Sequence, residues 1–128
     1  MRHKLLGKSS LRVSELCLGT MTFGEDWGWG ASKDESRAVF EAFTAAGGNF
    51  IDANLYTNGG SEKITGELIG GDRDRFVLAT KFSLPDNPTA PANVGDPNAA
   101  ASHRKNLMRS VEGSLKRALL TRSHRRAV

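Results

Sequence analysis

Three polar residues in this sequence have the types and spacing of a proton-transfer site. Asp52 and Lys81 each end a short apolar run, and Tyr56 lies just beyond Asp52. A tyrosine hydroxyl has an unperturbed pKa of about 10, and a nearby ammonium group stabilises the phenolate and makes the hydroxyl a better proton donor near neutrality. A carboxylate can pair with that ammonium. The three together would suit proton donation to a carbonyl oxygen, with the hydride supplied by a bound cofactor because no side chain can deliver one.

Alternating strands and helices are predicted to bring these residues together. Short apolar runs at 15–20, 49–52 and 76–81 are typical of buried parallel strands. The carboxyl ends of parallel strands share one face of an α/β fold, where active sites lie. Asp52 and Lys81 are therefore expected at one rim, with Tyr56 within reach of both.

Helical patterns separate the three runs. The first is a capping box at Ser32–Glu35, with Val39, Phe40 and Phe43 on one face and a stop at Gly47-Gly48. The second starts near Ser61, carries Ile64 and Leu68, and ends at Gly70-Gly71. The third starts near Ser102 and repeats Leu107, Val111, Leu115 and Leu119 every four residues. With a hairpin over the first fifteen residues, this order predicts a parallel sheet with right-handed crossovers.

Composition and charge limit the classes of function. Hydrophobic residues make up 38% and charged residues 25%, and no apolar run approaches the roughly 20 residues of a membrane helix. We expect a cytoplasmic protein with no membrane partner. The single Cys17 lies in an apolar run and is expected to be a buried hydrophobe, so neither a disulfide framework nor a metal site is predicted.

The net charge of +4 is concentrated at the end of the chain. Residues 116–128 hold five basic and no acidic residues, whereas the preceding 115 residues hold 13 basic and 14 acidic ones. A terminal basic segment without aromatic residues is a poor nucleic-acid surface, so no nucleic-acid partner is expected. We divide the chain into a barrel-like part, 1–117, and a basic tail, 118–128.

Several motifs in order along the chain resemble the aldo/keto reductase family. They are Leu18-Gly19-Thr20-Met21, Asn49-Phe50-Ile51-Asp52, Asn54-Leu55-Tyr56, Ser61-Glu62-Lys63-Ile64, Leu78-Ala79-Thr80-Lys81-Phe82, His103-Arg104-Lys105-Asn106-Leu107 and Ser114-Leu115-Lys116-Arg117. The resemblance implies the first part of a TIM (β/α)8 barrel, with NADPH as cofactor and a small-molecule carbonyl as substrate. It implies that Asp52, Tyr56 and Lys81 are three members of the family's catalytic tetrad. It also implies that Gly19, Thr20, Met21 and Asp52 lie beside the nicotinamide.

Two features depart from the family pattern. The spacing between Asp52 and Tyr56 is one residue shorter, which would displace an extended chain by about 3.3 Å unless the loop compensates. The tetrad histidine is not assigned, because His124 in the basic tail follows no apolar strand. An incomplete barrel of about three βα units would leave open sheet edges, so we expect weak NADP binding, little or no activity at this length, and self-association through those edges.

Alternatives to a reductase remain at this point. The chain could be a non-catalytic binding or regulatory scaffold, or the remnant of a disrupted reductase gene. The segment 84–101, rich in Pro, Asn and Ala, is predicted to be a surface loop. Trp27 and Trp29 in the first loop indicate either an apolar contact with a substrate or packing within the protein, and the sequence does not distinguish the two. The identity of the substrate is not predicted.

Overall fold

The computed structural model describes residues 1–83 and 96–118. Its strands are β1 (His3–Leu5), β2 (Arg12–Ser14), β3 (Leu18–Gly19), β4 (Phe50–Asp52) and β5 (Val77–Ala79). Its α-helices are α1 (Lys33–Ala45), α2 (Gly60–Ile69) and α3 (Arg104–Arg117), and two short 3-10 helices cover Tyr56–Gly59 and Gly70–Arg75. The elements follow the order that the sequence predicted, although each strand is shorter than its apolar run.

The strands form two separate sheets. β1 and β2 pair antiparallel as the predicted hairpin. β3, β4 and β5 form a parallel sheet in that order, with Gly19 opposite Asp52 and Asp52 opposite Ala79. Three consecutive parallel strands with intervening helices are the first part of a (β/α) barrel, which confirms the predicted fold class.

One face of the parallel sheet carries the core. Ile51, at the centre of β4, is fully buried against Phe40 of α1, Ile69 of α2 and Phe76. The neighbours of Ile51 in β4, Phe50 and Asp52, point to the other face and are half-buried. The helices therefore cover one side of the sheet, and the side that bears Asp52 is more open.

The start of α1 follows the predicted cap. The hydroxyl of Ser32 accepts a hydrogen bond from the backbone N–H of Glu35, and the Glu35 carboxylate accepts one from the backbone N–H of Ser32. The buried face of α1 is narrower than predicted. Phe40 is buried and Phe43 half-buried, but Val39 is 48% exposed because it lies about 100° around the helix from Phe40.

The buried stripe of α3 differs from the predicted one. Its buried residues are polar, Asn106, Ser110 and Ser114, whereas the leucine and valine stripe at Leu107, Val111 and Leu115 is half-buried. The absence of a side chain at Gly66 lets α2 approach the end of α3 closely. A Cβ at Gly66 of α2 would lie only 2.6 Å from the Cα of Ala118, at the end of α3.

Residues 84–95 and 119–128 lie outside the described part of the chain. The predictions for most of the 84–101 loop, for Leu119 and for the basic tail fall there. Within the described residues, no helix is long and apolar enough to cross a membrane.

Candidate active site

The carboxylate of Asp52 and the ammonium group of Lys81 meet at the carboxyl end of the parallel sheet. Lys81 Nζ donates hydrogen bonds to Asp52 Oδ1 at 2.7 Å and to Oδ2 at 2.6 Å. Asp52 ends β4, and Lys81 follows β5 by two residues, so parallel pairing of β4 with β5 brings the two side chains to one rim. Each side chain is about two-fifths exposed, which leaves the pair open to a ligand.

Tyr56 lies beside the same pair. The ammonium nitrogen of Lys81 lies 5.4 Å from the centre of the Tyr56 ring. Partial burial by itself would lower the pKa of Lys81, but the hydrogen bond and charge of Asp52, together with the nearby Tyr56 side chain, outweigh burial and raise that pKa above its ordinary value. Lys81 is therefore held in its charged form beside the phenol.

The loop that carries Tyr56 has an unusual backbone. Thr57 and Asn58 adopt the left-handed conformation, with φ of 50° and 52°, and Gly59 follows with φ of 89°. For each non-glycine residue this conformation costs roughly 1–2 kcal/mol, and a β-branched residue such as Thr57 adopts it rarely. This tight turn comes directly after Tyr56 in the chain, next to the shortened segment between Asp52 and Tyr56. The shorter spacing does not keep the Tyr56 ring away from Lys81.

The residues expected beside a cofactor divide into two groups. Gly19 lies opposite Asp52, with open space where a Cβ would stand, and Met21 is 46% exposed. The side chain of Thr20, in contrast, is fully buried. Its hydroxyl lies 2.8 Å from the hydroxyl of Ser61 and donates to the backbone oxygen of Asp52 at 3.1 Å. Thr20 thus ties the end of β4 to the start of α2, and a contact between its side chain and a ligand would require rearrangement.

Aromatic rings stand beside Tyr56. The ring centres of Trp27 and Trp29 are 5.3 Å apart, and Trp27 meets the Tyr56 ring edge-on at 6.3 Å. Such offset and edge-to-face contacts are favourable. Trp29 remains 50% exposed, so the cluster presents an apolar surface next to the rim.

Comparison with known proteins identifies the family. The sequence profile of the aldo/keto reductase family matches residues 15–122, most of the chain. The chain belongs to the aldo/keto reductase family. The family resemblance of the motifs is thereby confirmed.

Two named relatives and one solved structure illustrate the match. The chain is 44% identical over 120 residues to norsolorinic acid reductase of Emericella nidulans, an alignment that covers 88% of this chain and 31% of the relative. It is 44% identical over 91 residues to an NADP(+) aryl-alcohol dehydrogenase of Phanerodontia chrysosporium, covering 65% of this chain and 24% of that enzyme. Its fold superimposes on the holo form of an aldo-keto reductase from Bacillus halodurans with a TM-score of 0.75 and 27% identity, covering 94% of this chain and 37% of that one. The chain thus spans between about a quarter and just over a third of the length of these relatives.

An ion pair that the sequence did not predict lies beside the candidate site. Glu62 of α2 is 3% exposed, accepts a 2.5 Å hydrogen bond from Arg117 Nε, and accepts another at 2.8 Å from the hydroxyl of Thr80. Asn106 of α3, also fully buried, donates to the backbone oxygen of Phe82 at 2.6 Å. These contacts hold the residues on both sides of Lys81. Glu62 and Arg117 both occur in the family-like motifs, but their distance of 55 positions conceals the pairing.

Cys17 is exposed, so the prediction of a buried thiol is wrong. The residue precedes β3 on the sheet face that bears Asp52, which no described helix covers. Partial desolvation of the sulfur and the negative charge of Asp52 raise the pKa of Cys17, and the charge of Lys81 opposes them only in part. Its exposure depends on which side of the sheet the helices cover, a property that the apolar run around Cys17 does not reveal.

The fourth tetrad residue has no candidate at this rim within the described residues. His3 lies in the hairpin, and His103 caps α3 by accepting a hydrogen bond from the backbone N–H of Asn106. His124 lies outside the described part of the chain.

Proposed function

We propose that this chain forms the part of an NADPH-dependent carbonyl reductase that holds Asp52, Tyr56 and Lys81 as catalytic residues. The observation that carries the proposal is the contact of one ammonium group with a carboxylate on one side and a phenol on the other. Family membership supports the reaction class, reduction of aldehydes or ketones to alcohols.

Each of the three residues has a distinct part in the proposed reaction. Tyr56 donates a proton to the carbonyl oxygen of the substrate. Lys81 stabilises the phenolate that remains, because its positive charge lies beside the phenol, where Asp52 holds it. Asp52 also keeps Lys81 charged, in agreement with the raised pKa of that lysine.

The residues at the rim fit a nicotinamide cofactor, which supplies the hydride when bound. Open space over Gly19 allows a flat ring to approach the backbone at the mouth of β3, directly beside Asp52. Met21 is exposed enough to add an apolar contact. The relative from Phanerodontia chrysosporium is named for NADP(+), which favours the phosphorylated cofactor.

An aromatic carbonyl compound is the substrate class that we propose. The exposed face of Trp29 and the edge contact of Trp27 with Tyr56 offer a flat apolar surface next to the proton donor. One relative is named an aryl-alcohol dehydrogenase, in keeping with such a surface.

A chimeric enzyme tests this function. Residues 1–118 would replace the matching third of the Emericella nidulans norsolorinic acid reductase, and oxidation of NADPH by an aromatic aldehyde would be followed by absorbance. We expect turnover that Tyr56→Phe and Lys81→Met each reduce by at least about 10²-fold, the usual lower range for a proton-transfer group. Lys63→Met, the same change at an exposed lysine of α2, serves as the control and should keep the rate.

Other results of this experiment would reject the proposal. A folded chimera that binds NADPH but does not turn over would favour a non-catalytic binding scaffold. A chimera that neither folds nor binds NADPH would favour a disrupted reductase. Unchanged turnover in Tyr56→Phe would assign proton donation to another group.

The 128-residue chain alone is proposed to bind NADPH weakly, to turn over little substrate, and to self-associate. Within the described residues β3 and β5 each pair on one side only, with β4, so each offers backbone groups to another strand. Sedimentation velocity over a range of protein concentrations should show species larger than a monomer. A monomer at all concentrations would contradict self-association without affecting the proposed chemistry.

A further inference from the structure

The loop that carries the two tryptophans is joined to the loop that carries Tyr56 by one buried hydroxyl. We define the tryptophan loop as residues 21–31; its ends pair through a bridge between Phe23 and Ala31. The hydroxyl of Thr57 lies 2.9 Å from the backbone oxygen of Phe23, in this loop, and 2.7 Å from the backbone oxygen of Tyr56. It also accepts a 3.0 Å hydrogen bond from the backbone N–H of Ser61.

The surroundings of Thr57 are closely packed. Thr57 is fully buried. A Cβ at Gly24 would lie 2.9 Å from its hydroxyl oxygen, and a Cβ at Gly60 would lie 2.7 Å from it, so glycine is required on both sides. Asp26 extends the same junction, because its carboxylate reaches the first turn of α2 beside Gly60.

Thr57 occupies this place although its backbone conformation is unfavourable. A left-handed threonine persists only where surrounding contacts over-determine it, and such residues cluster at functional sites. The side-chain hydroxyl is the group that makes those contacts, and glycine would suit the backbone better. A threonine in this unfavourable conformation indicates that its hydroxyl matters, because the hydroxyl links the tryptophan loop to the start of α2.

We propose that Thr57 is a positioning residue that locks the tryptophan loop to Tyr56, so that the aromatic surface and the proton donor keep one relative orientation. The effect on turnover depends on the reductase function proposed above. The structural coupling itself does not, because it concerns the geometry of Trp27, Trp29 and Tyr56 in the chain as it exists.

Near-UV circular dichroism of the 128-residue chain tests the coupling directly. Tyr56 is the single tyrosine, and Trp27 and Trp29 are the two tryptophans, so the spectrum reports on this cluster. Thr57→Val keeps the branched shape and removes the hydroxyl, and Thr57→Gly removes both the hydroxyl and the backbone strain. Both variants should lose the near-UV aromatic signal while retaining the far-UV spectrum. Thr57→Ser, which keeps a hydroxyl, should retain the near-UV signal. Thr65→Val is the matched control, since the buried hydroxyl of Thr65 has no hydrogen-bond partner among the described residues, and its spectrum should equal that of the unmodified chain.

The chimeric enzyme then measures the consequence for the reaction. Thr57→Val should lower kcat by up to about 10²-fold with little change in KM for the cofactor, as expected for a misplaced reacting group. An inactive chimera with Thr57 intact would reject the reductase function and leave the spectroscopic result to decide the coupling.

Two outcomes would overturn the role of Thr57. One is a near-UV spectrum of Thr57→Val that superimposes on that of the unmodified chain. The other is loss of all folded structure in both Thr57→Val and Thr57→Gly, which would make Thr57 a residue of general stability.

Discussion

Lys81 and Asp52 are 29 positions apart in the chain, and the ammonium group of Lys81 contacts both carboxylate oxygens of Asp52, at 2.7 and 2.6 Å. Neighbouring parallel strands β4 and β5 produce this contact by ending at the same rim. The pair is open to solvent, and the carboxylate is close enough to stabilise the ammonium group.

The protonation of Lys81 should depend on Asp52. Asp52→Asn removes the negative charge that stabilises the ammonium group, so the pKa of Lys81 should fall from its raised value toward or below the ordinary 10.5. Titration of reductively methylated lysines by NMR, with isotopically labelled methyl groups, would measure the shift. Asp34→Asn, at an exposed aspartate of α1, is the control and should leave Lys81 unchanged.

The same pair should make stability depend on pH in the alkaline range. Because the pKa of Lys81 is raised in the folded chain, its contribution to the free energy of unfolding is fully present below 10.5 and is lost as the pH rises through the folded value. Urea unfolding across this interval should therefore show a steeper loss of stability in the unmodified chain than in Lys81→Met. Equal slopes for the two proteins would contradict the raised pKa.

Cys17 should react with a thiol reagent in the folded chain. The residue is exposed, but desolvation and the charge of Asp52 raise its pKa, so labelling near neutral pH should be slower than in the denatured chain. Asp52→Asn should accelerate labelling because it removes the charge that opposes the thiolate. Absence of labelling until the chain is denatured would show that the sheet face beside Cys17 is covered in solution.

The ion pair between the buried Glu62 and the partly buried Arg117 should contribute strongly to stability. Arg117→Met leaves the Glu62 carboxylate buried without its cation, and breaking such a pair costs about 3 kcal/mol or more. Urea denaturation would measure the loss. Lys116→Met, at the exposed neighbouring position, should change the free energy of unfolding by less than about 0.5 kcal/mol.

Replacing Gly66 by alanine should destabilise the protein, the opposite of the usual effect of this substitution inside a helix. Replacing an interior helical glycine by alanine ordinarily stabilises a protein by roughly 0.5–1 kcal/mol. At Gly66 the added Cβ would lie 2.6 Å from the backbone of Ala118, so Gly66→Ala should instead destabilise by about 1–3 kcal/mol, the usual cost of overpacking. Gly71→Ala, with open space at the Cβ position, is the control. A gain in thermal stability for Gly66→Ala would mean that α2 and α3 do not pack this closely.

Much of the architecture could be predicted because it depends on local chemistry. The capping box at Ser32 and the glycines after α1 and α2 set helix boundaries through contacts within a few residues. The alternation of apolar runs and helices implied parallel strands, and parallel strands must present their carboxyl ends together. The meeting of Asp52 with Lys81 follows from that topology.

Other features depend on which distant segments lie against each other, and no local pattern contains that information. Cys17 is exposed because no described helix covers its side of the sheet, although its sequence neighbours are apolar. The buried stripe of α3 is polar because Asn106 must reach a backbone oxygen beside Lys81, 24 positions earlier.

The sequence alone determined the order of the elements, the parallel sheet and the residues at its rim. Backbone geometry and short-range periodicity dictate these features. Only the tertiary structure decided that Tyr56 lies beside Lys81 despite its shortened spacing from Asp52. It also decided the left-handed backbone at Thr57 and Asn58, which is unfavourable in isolation and occurs where the Thr57 hydroxyl is buried against the backbone oxygen of Phe23, 34 positions away.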